Sequence, residues 1–262
     1  MTGLDSKNGV PHVAFIDSGI GGLSVVNCVK QLLGPMQISY FMDNRYLPYG
    51  ELSGDVLIAR LTAIVKFLHA LKPDLVVIAC NTASIQSLAF LRSQFDLPFV
   101  GVVPAIKPAA LQSKTKIIGL LATPATVKDE YTKALSDQYA QDCRLISLGS
   151  SEVVSCAEQY FWHGEENVDL LPDFSCFSAI DTLVLGCTHF PLIKHLIADH
   201  LSACVQLIDS GDAIARQVKR LLAGCEFAGV ASQMLYCSQS IEVGHIQRLQ
   251  REGFAGVEWV KV

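Results

Sequence analysis

Short apolar runs alternate with longer amphipathic stretches along the whole chain, the pattern of βα units wound around a parallel sheet. The runs that read as strands are HVAFID (12–17), ISYFM (38–42), LVVIA (75–79), PFVGV (98–102), KIIGLLA (116–122), RLISL (144–148), TLVLG (182–186) and VQLID (205–209). Each has strand length, and β-branched residues are frequent in them. Between the second and third, Leu57, Leu61, Ile64, Leu68 and Leu71 recur at steps of four, three, four and three. That is one apolar stripe of a helix packed on the sheet, and Pro73 stops it before the next strand.

A weak internal repeat organises these units. FIDSGIGG (15–22) is echoed by LIDSGDAIA (207–215), and LVVIACNTAS (75–84) by LVLGCTHFP (183–191). Two similar α/β halves leave a cleft between the carboxyl ends of their strands, where open parallel sheets hold ligands, and Cys80 and Cys187 fall at those ends. The expected fold is therefore α/β, with two pseudo-symmetric lobes, mainly parallel sheets and a site in the cleft between them. A further helix and the strand-like QMLYCS (233–238) follow Asp209, so the last part of the chain is expected to return to the first lobe. This divides the chain into 1–103 completed by 209–262, and 104–208. No Pro/Gly/Ser-rich linker marks the boundaries.

Composition narrows the function. The chain has 262 residues, half of them hydrophobic and only 17% charged, which suits a well-buried core and little disorder. A net charge of −5 with scattered Lys and Arg offers no basic stripe to nucleic acid, so a small molecule is the expected partner. The opening MTGLDSKNGVPHVAF lacks the basic start and apolar core of an export signal, and no apolar run reaches the ~18 residues of a membrane span. A cytoplasmic address is expected. Nine cysteines, an odd number without framework spacing or CxxC, fit reduced thiols, and neither Cys187 nor His189 has a zinc-ligand spacing.

The candidate chemistry sits at strand ends. In DSGIGGLSV (17–25) the glycines allow close backbone approach, and the helix that follows presents free N–H groups suited to a carboxylate or phosphate. The motif is not GxGxxG, and no acidic residue stands where a ribose would need it. DNRYLPYGELS (43–53) follows another strand, and its Pro-Tyr-Gly turn either closes over a ligand or packs Tyr49 at an edge. Asn81, Thr82, Thr188 and the hydroxyls of TPAT (123–126) are neutral donors and acceptors suited to an amino acid. His189 is placed to take the proton of Cys187 or to stabilise its charge, whereas Asp17 can orient Cys80 but, being anionic, does not favour its thiolate. A thiolate on one face of an α-carbon and a thiol on the other perform a stereoinverting proton exchange. A disulfide device is the competing use, disfavoured by the long separation and the lack of CxxC. Nucleophilic thioester chemistry needs only one of the two cysteines.

Taken in order, FIDSGIGGLSV, DNRYLPYGELS, VVIACNTAS, GVVPAIKPA, GLLAT, VLGCTHFPL and IDSGDAIA resemble the motifs of glutamate racemases, and the resemblance covers nearly the whole chain. GVVPAIKPA and LGSSEVV are similar to the proteobacterial type. The resemblance implies cofactor-independent interconversion of L- and D-glutamate, supplying D-glutamate for peptidoglycan, by a homodimer or monomer with no metal. It implies that Cys80 takes the α-proton from D-glutamate and Cys187 from L-glutamate. Asp17 and His189 match the assisting residues, and Ser18, Tyr49, Gly50, Asn81, Thr82 and Thr188 match positions that hold substrate, with Thr126 in the TPAT segment. Two departures stand out. Thr123, Pro124, Ala125 and Thr126 replace Thr-x-Gly-Thr, and an assisting family glutamate aligns with Ser155, flanked by Glu152 and Glu158, both of which read as solvated helix charges. The remaining histidines (12, 69, 163, 195, 200 and 245) read as surface or packing residues, and Trp162 as a packing aromatic. The alternatives are an aspartate or hydantoin racemase of the same superfamily, and a non-catalytic two-lobed amino-acid-binding protein.

Overall fold

The computed structural model describes residues 10–227 and 231–262. Residues 1–9, which carry most of the segment read above for an export signal, lie outside the described residues. The strands are β1 (His12–Asp17), β2 (Gln37–Met42), β3 (Leu75–Ile78), β4 (Phe99–Gly101), β5 (Ile117–Ala122), β6 (Arg144–Gly149), β7 (Thr182–Leu185), β8 (Gln206–Ile208), β9 (Ser232–Cys237) and β10 (Gly256–Trp259). They form two sheets in which every pairing is parallel, ordered β10-β9-β2-β1-β3-β4 and β6-β5-β7-β8.

Both faces of each sheet are covered, which is why the central strands read as unbroken apolar runs. In β1, Val13 and Phe15 face a core shared with α1 (Leu23–Leu33), while Ala14 and Ile16 face one shared with α2 (Gly54–Ala70). In the second sheet Leu121, Leu183 and Leu185 pack against α7 (Glu152–His163), and Ile118, Leu120 and Val184 pack against α4 (Ile106–Gln112). The Leu57, Leu61, Ile64 and Leu68 stripe of α2 is fully buried, as its spacing requires. That helix ends at Ala70, before Pro73, with Lys72 turning it out at positive φ. β10 has no counterpart among the expected strands. It is a half-exposed edge strand whose burial does not alternate, so it carries no period-2 signal.

The order β2-β1-β3-β4 recurs as β6-β5-β7-β8, so the turn after β3, with Cys80, and the turn after β7, with Cys187, are topological equivalents. The two Asp-Ser-Gly segments are not. Asp17 ends β1, whereas Asp209 follows β8, the equivalent of β4. What they share is local: Asp17 accepts from the amide of Gly19 and Asp209 from that of Gly211, the same Asx turn leading into a helix. The helix after Asp209, α9 (Gly211–Leu221), packs Ile214, Ala215 and Val218 into the core of α1. Ser210 ties the two crossover segments together through its hydroxyl, which donates to Val103 O at 2.5 Å. No helix among the described residues is long and apolar enough to cross a membrane.

Candidate active site

Cys80 is the N-cap of α3 (Asn81–Gln94), directly after β3, and only 8% of it is exposed. The amides of Thr82 and Ala83 favour its thiolate, but burial, the charge of Asp17 and that of Cys187 outweigh them and push the thiol well above its ordinary range. The adjoining Asn81 and Thr82 are also buried. Asn81 Oδ1 has no hydrogen-bond partner among the described residues, and the hydroxyl of Thr82 meets those of Thr123 at 3.0 Å and Thr126 at 3.1 Å.

Cys187 follows β7 and Gly186, near enough for its charge to act on Cys80. A Cβ on Gly186 would come within 2.9 Å of Ala122 Cβ and 3.2 Å of Leu121 O, so glycine is what lets the turn leave the strand against β5. Cys187 Sγ is 3.8 Å from His189 Nδ1, and His189 Nε2 is 2.8 Å from Glu158 Oε1. Burial pulls the imidazole's pKa down, but its contacts with Cys187 and Glu158 and the charge of Asp17 hold it well above 6.5 on balance. An imidazolium beside the sulfur stabilises negative charge there.

Asp17, fully buried at the end of β1, accepts from Gly19 N at 2.9 Å and, across the cleft, from Thr188 Oγ1 at 2.9 Å. Burial raises its carboxyl, and His189, Gly19 and Thr188 oppose that rise. Ser18 is buried next to it. Tyr49 is buried, and its hydroxyl donates to Asp43 at 2.8 Å, so that proton is committed within the loop. Gly50 brings the same loop against Thr123, which a Cβ would approach to 3.1 Å. Thr123 in turn caps the short helix α5 (Pro124–Lys128). Ala125 has no positive φ, so its backbone angle does not call for the family glycine.

The structure corrects two readings of the sequence. Glu158 is not a solvated helix charge. It shares a face of α7 with Val154 and Phe161, where Oε1 accepts from His189 and from Ile20 N at 2.9 Å, and Oε2 accepts from Trp162 Nε1 at 2.7 Å. Ser155 faces solvent, as does Glu152, whose carboxylate takes the Ser150 hydroxyl. The residue type alone pointed outward; the four-residue step from Val154 to Glu158 and on to Trp162 was the available signal. Nor does the glycine loop present a vacant anion site at Ile20, since Glu158 occupies that amide. A Cβ on Gly19 would collide with Glu158 and His189, and one on Gly21 with the His189 ring, so these glycines make room for the pair. Trp162 packs as expected, stacked on His245 at 4.3 Å, but it also orients Glu158. Among the described residues no His, Cys, Asp and Glu side chains gather in threes as metal ligands.

Two buried thiols at matched strand ends, with titratable groups nearby, make this the candidate active site of an α/β enzyme. The chain belongs to the Asp/Glu/Hydantoin racemase family, whose model matches residues 25–161. Within it the similarity is to glutamate racemases. That of Shewanella frigidimarina is 48% identical over 216 residues, 80% of this chain and 83% of that protein. That of Shewanella piezotolerans is 41% identical over 256 residues, 94% and 96% of the two chains. The crystal structure of Escherichia coli glutamate racemase with L-glutamate and the activator UDP-MurNAc-ala superposes with a TM-score of 0.89 at 40% identity, covering 96% of this chain and 98% of that one.

Proposed function

We propose that this enzyme racemises glutamate, with Cys187 acting on the α-proton of L-glutamate and Cys80 on that of D-glutamate. The observation that carries the mechanism is the equivalence of the two cysteine turns. Related by the repeated strand order, they put a buried thiol at the end of the equivalent strand of each sheet, which supports a reading in which the two act from opposite faces of one substrate. The glutamate assignment rests on the similarity to glutamate racemases along most of the chain.

With L-glutamate, the Cys187 thiolate removes the α-proton while protonated His189 supports the negative charge on sulfur until transfer. The electron pair left at the α-carbon delocalises into the adjacent carboxyl group, and the Cys80 thiol delivers its proton from the opposite face. D-glutamate leaves with Cys187 as a thiol and Cys80 as a thiolate; solvent exchange or the reverse reaction resets the pair. Glu158 holds the imidazolium. Asp17 and Thr188 brace the two half-sites. Asn81, Thr82, Thr126, Ser18 and the backbone of Tyr49 and Gly50 supply the polar surface for the substrate's ammonium and carboxylates. No cofactor has a step in this scheme, and its place is in the cytoplasm, supplying D-glutamate for cell-wall synthesis.

The test is α-proton exchange in deuterated water. Either enantiomer of glutamate should acquire α-deuterium as it racemises, and Cys80→Ala and Cys187→Ala should each abolish racemisation with the fold intact by circular dichroism. Racemisation that survives in either variant removes the two-base scheme. Exchange into aspartate, with glutamate inert, removes the substrate assignment.

A further inference from the structure

The Cys187–His189 turn has a hydrogen-bonding defect written into its sequence. It continues into a 3₁₀ turn (Phe190–Ile193), in which each carbonyl takes the N–H three residues on. Cys187 O receives Phe190 N at 3.2 Å and His189 O receives Leu192 N at 3.1 Å. The intervening carbonyl, that of Thr188, would take its proton from residue 191, which is Pro191 and has none. Leu192, the next donor along, is already committed to His189. A buried carbonyl left this way costs free energy, and the space beside it, lined by Asn81, Cys187, Thr188 and Pro191, is about 10 Å³. That is room for at most about one water.

The donor comes from the other sheet's side of the cleft. Ser24, in the first turn of α1, points its hydroxyl at Thr188 O from 2.9 Å, sharing the proton with Gly21 O at 2.8 Å. Gly21 O already receives Ser24 N at 3.0 Å, so it does not depend on the hydroxyl. Thr188 meets the first lobe a second time through its side chain, on Asp17. The turn bearing one proposed base is thus fastened by its backbone and by its side chain to helix and strand of the opposite sheet.

We propose that Ser24 is a positioning residue for racemisation: it supplies the donor that Pro191 withholds and so fixes Cys187 relative to the α-carbon. The proposal rests on the two-thiol scheme above. A misplaced sulfur slows the transfer made by Cys187 and leaves that of Cys80 untouched, so the consequence is directional.

The experiment compares Ser24→Ala, Ser24→Thr and Ser24→Ala/Pro191→Ala with the unmodified enzyme, using α-deuterated L- and D-glutamate. Loss of one hydrogen bond predicts roughly a 3- to 10-fold fall in kcat for Ser24→Ala. Its primary isotope effect should rise with L-glutamate, where Cys187 breaks the C–H bond, and fall with D-glutamate, where Cys80 does. Ser24→Thr keeps the hydroxyl and should restore both values. The double variant restores an N–H at residue 191 and should regain most of the loss. Unchanged kinetics in Ser24→Ala, or a loss that leaves both isotope effects in place, overturns the proposal. Cys187→Ala is run alongside: if it still racemises, the two-thiol scheme fails and takes this inference with it, whereas an inactive Cys187→Ala beside a normal Ser24→Ala defeats the Ser24 role alone.

Discussion

At the residue scale the two thiols are chemically unlike although topologically equivalent. Cys80 is raised by burial and by the nearby Asp17, while Cys187 faces an imidazole whose pKa is held above its ordinary value, against burial, by its contacts with Cys187 itself and with Glu158. Glu158 therefore acts through His189. Glu158→Gln removes the carboxylate but keeps the volume, and loss of a charged hydrogen bond predicts a fall in kcat of roughly ten- to a hundredfold. The ring resonance of His189 should then titrate closer to 6.5 by NMR, and an unmoved titration would contradict the role. The sign of the linked stability follows from the raised pKa. The protonated imidazole contributes stability in full below its ordinary 6.5, and that contribution is lost as pH rises through the higher folded value. The unmodified enzyme should lose stability above pH 6.5 in urea titrations, and Glu158→Gln should flatten that slope.

At the element scale, α2 does more than cover the sheet. Arg60 on its half-buried side grips fully buried Asp43, with Nη2 to Oδ1 at 2.8 Å and Nε to Oδ2 at 3.2 Å. Its Nη1 reaches Val262 O at 2.7 Å, and its guanidinium lies 4.3 Å above the Tyr46 ring. The carboxylate in turn holds the Tyr49 hydroxyl, and Asp43 N donates to Asp17 O. One helix residue thus anchors the loop between β2 and α2, which forms a wall of the site. Arg60→Gln leaves a buried carboxylate unpaired and should cost about 3–5 kcal/mol in denaturant unfolding. A loss below about 1 kcal/mol would place the pair among those that contribute little.

At the scale of the whole molecule, we propose the division into 1–103 with 209–262, and 104–208. Supporting it, β9 joins the sheet of β1 and β2, and α9 packs on α1, although both follow β8 in the chain. Native-state hydrogen exchange should then show β9 opening with β1–β3, and β5–β8 opening as a separate unit. Exchange of β9 together with β8 would argue against this division.

The sequence by itself determined what depends on neighbouring residues. Apolar runs marked nine of the ten strands among the described residues and the α2 stripe, because strands buried on both faces and helices buried on one leave a local trace. It also determined that the Cys80 and Cys187 turns are equivalent, because they follow matching strands of the two sheets and kept similar residues. Where a likeness was only local, as in the two Asp-Ser-Gly turns, the sequence overstated the repeat: an Asx turn needs three residues and no particular place in a sheet. Tertiary structure alone decided that Glu158 meets His189, Arg60 meets Asp43 and Ser24 meets Thr188. Arg60 meets Asp43 across a separation of 17 residues, Glu158 meets His189 across 31, and Ser24 meets Thr188 across 164. A hydrogen bond across a cleft depends on where two elements pack, which no spacing along one of them encodes.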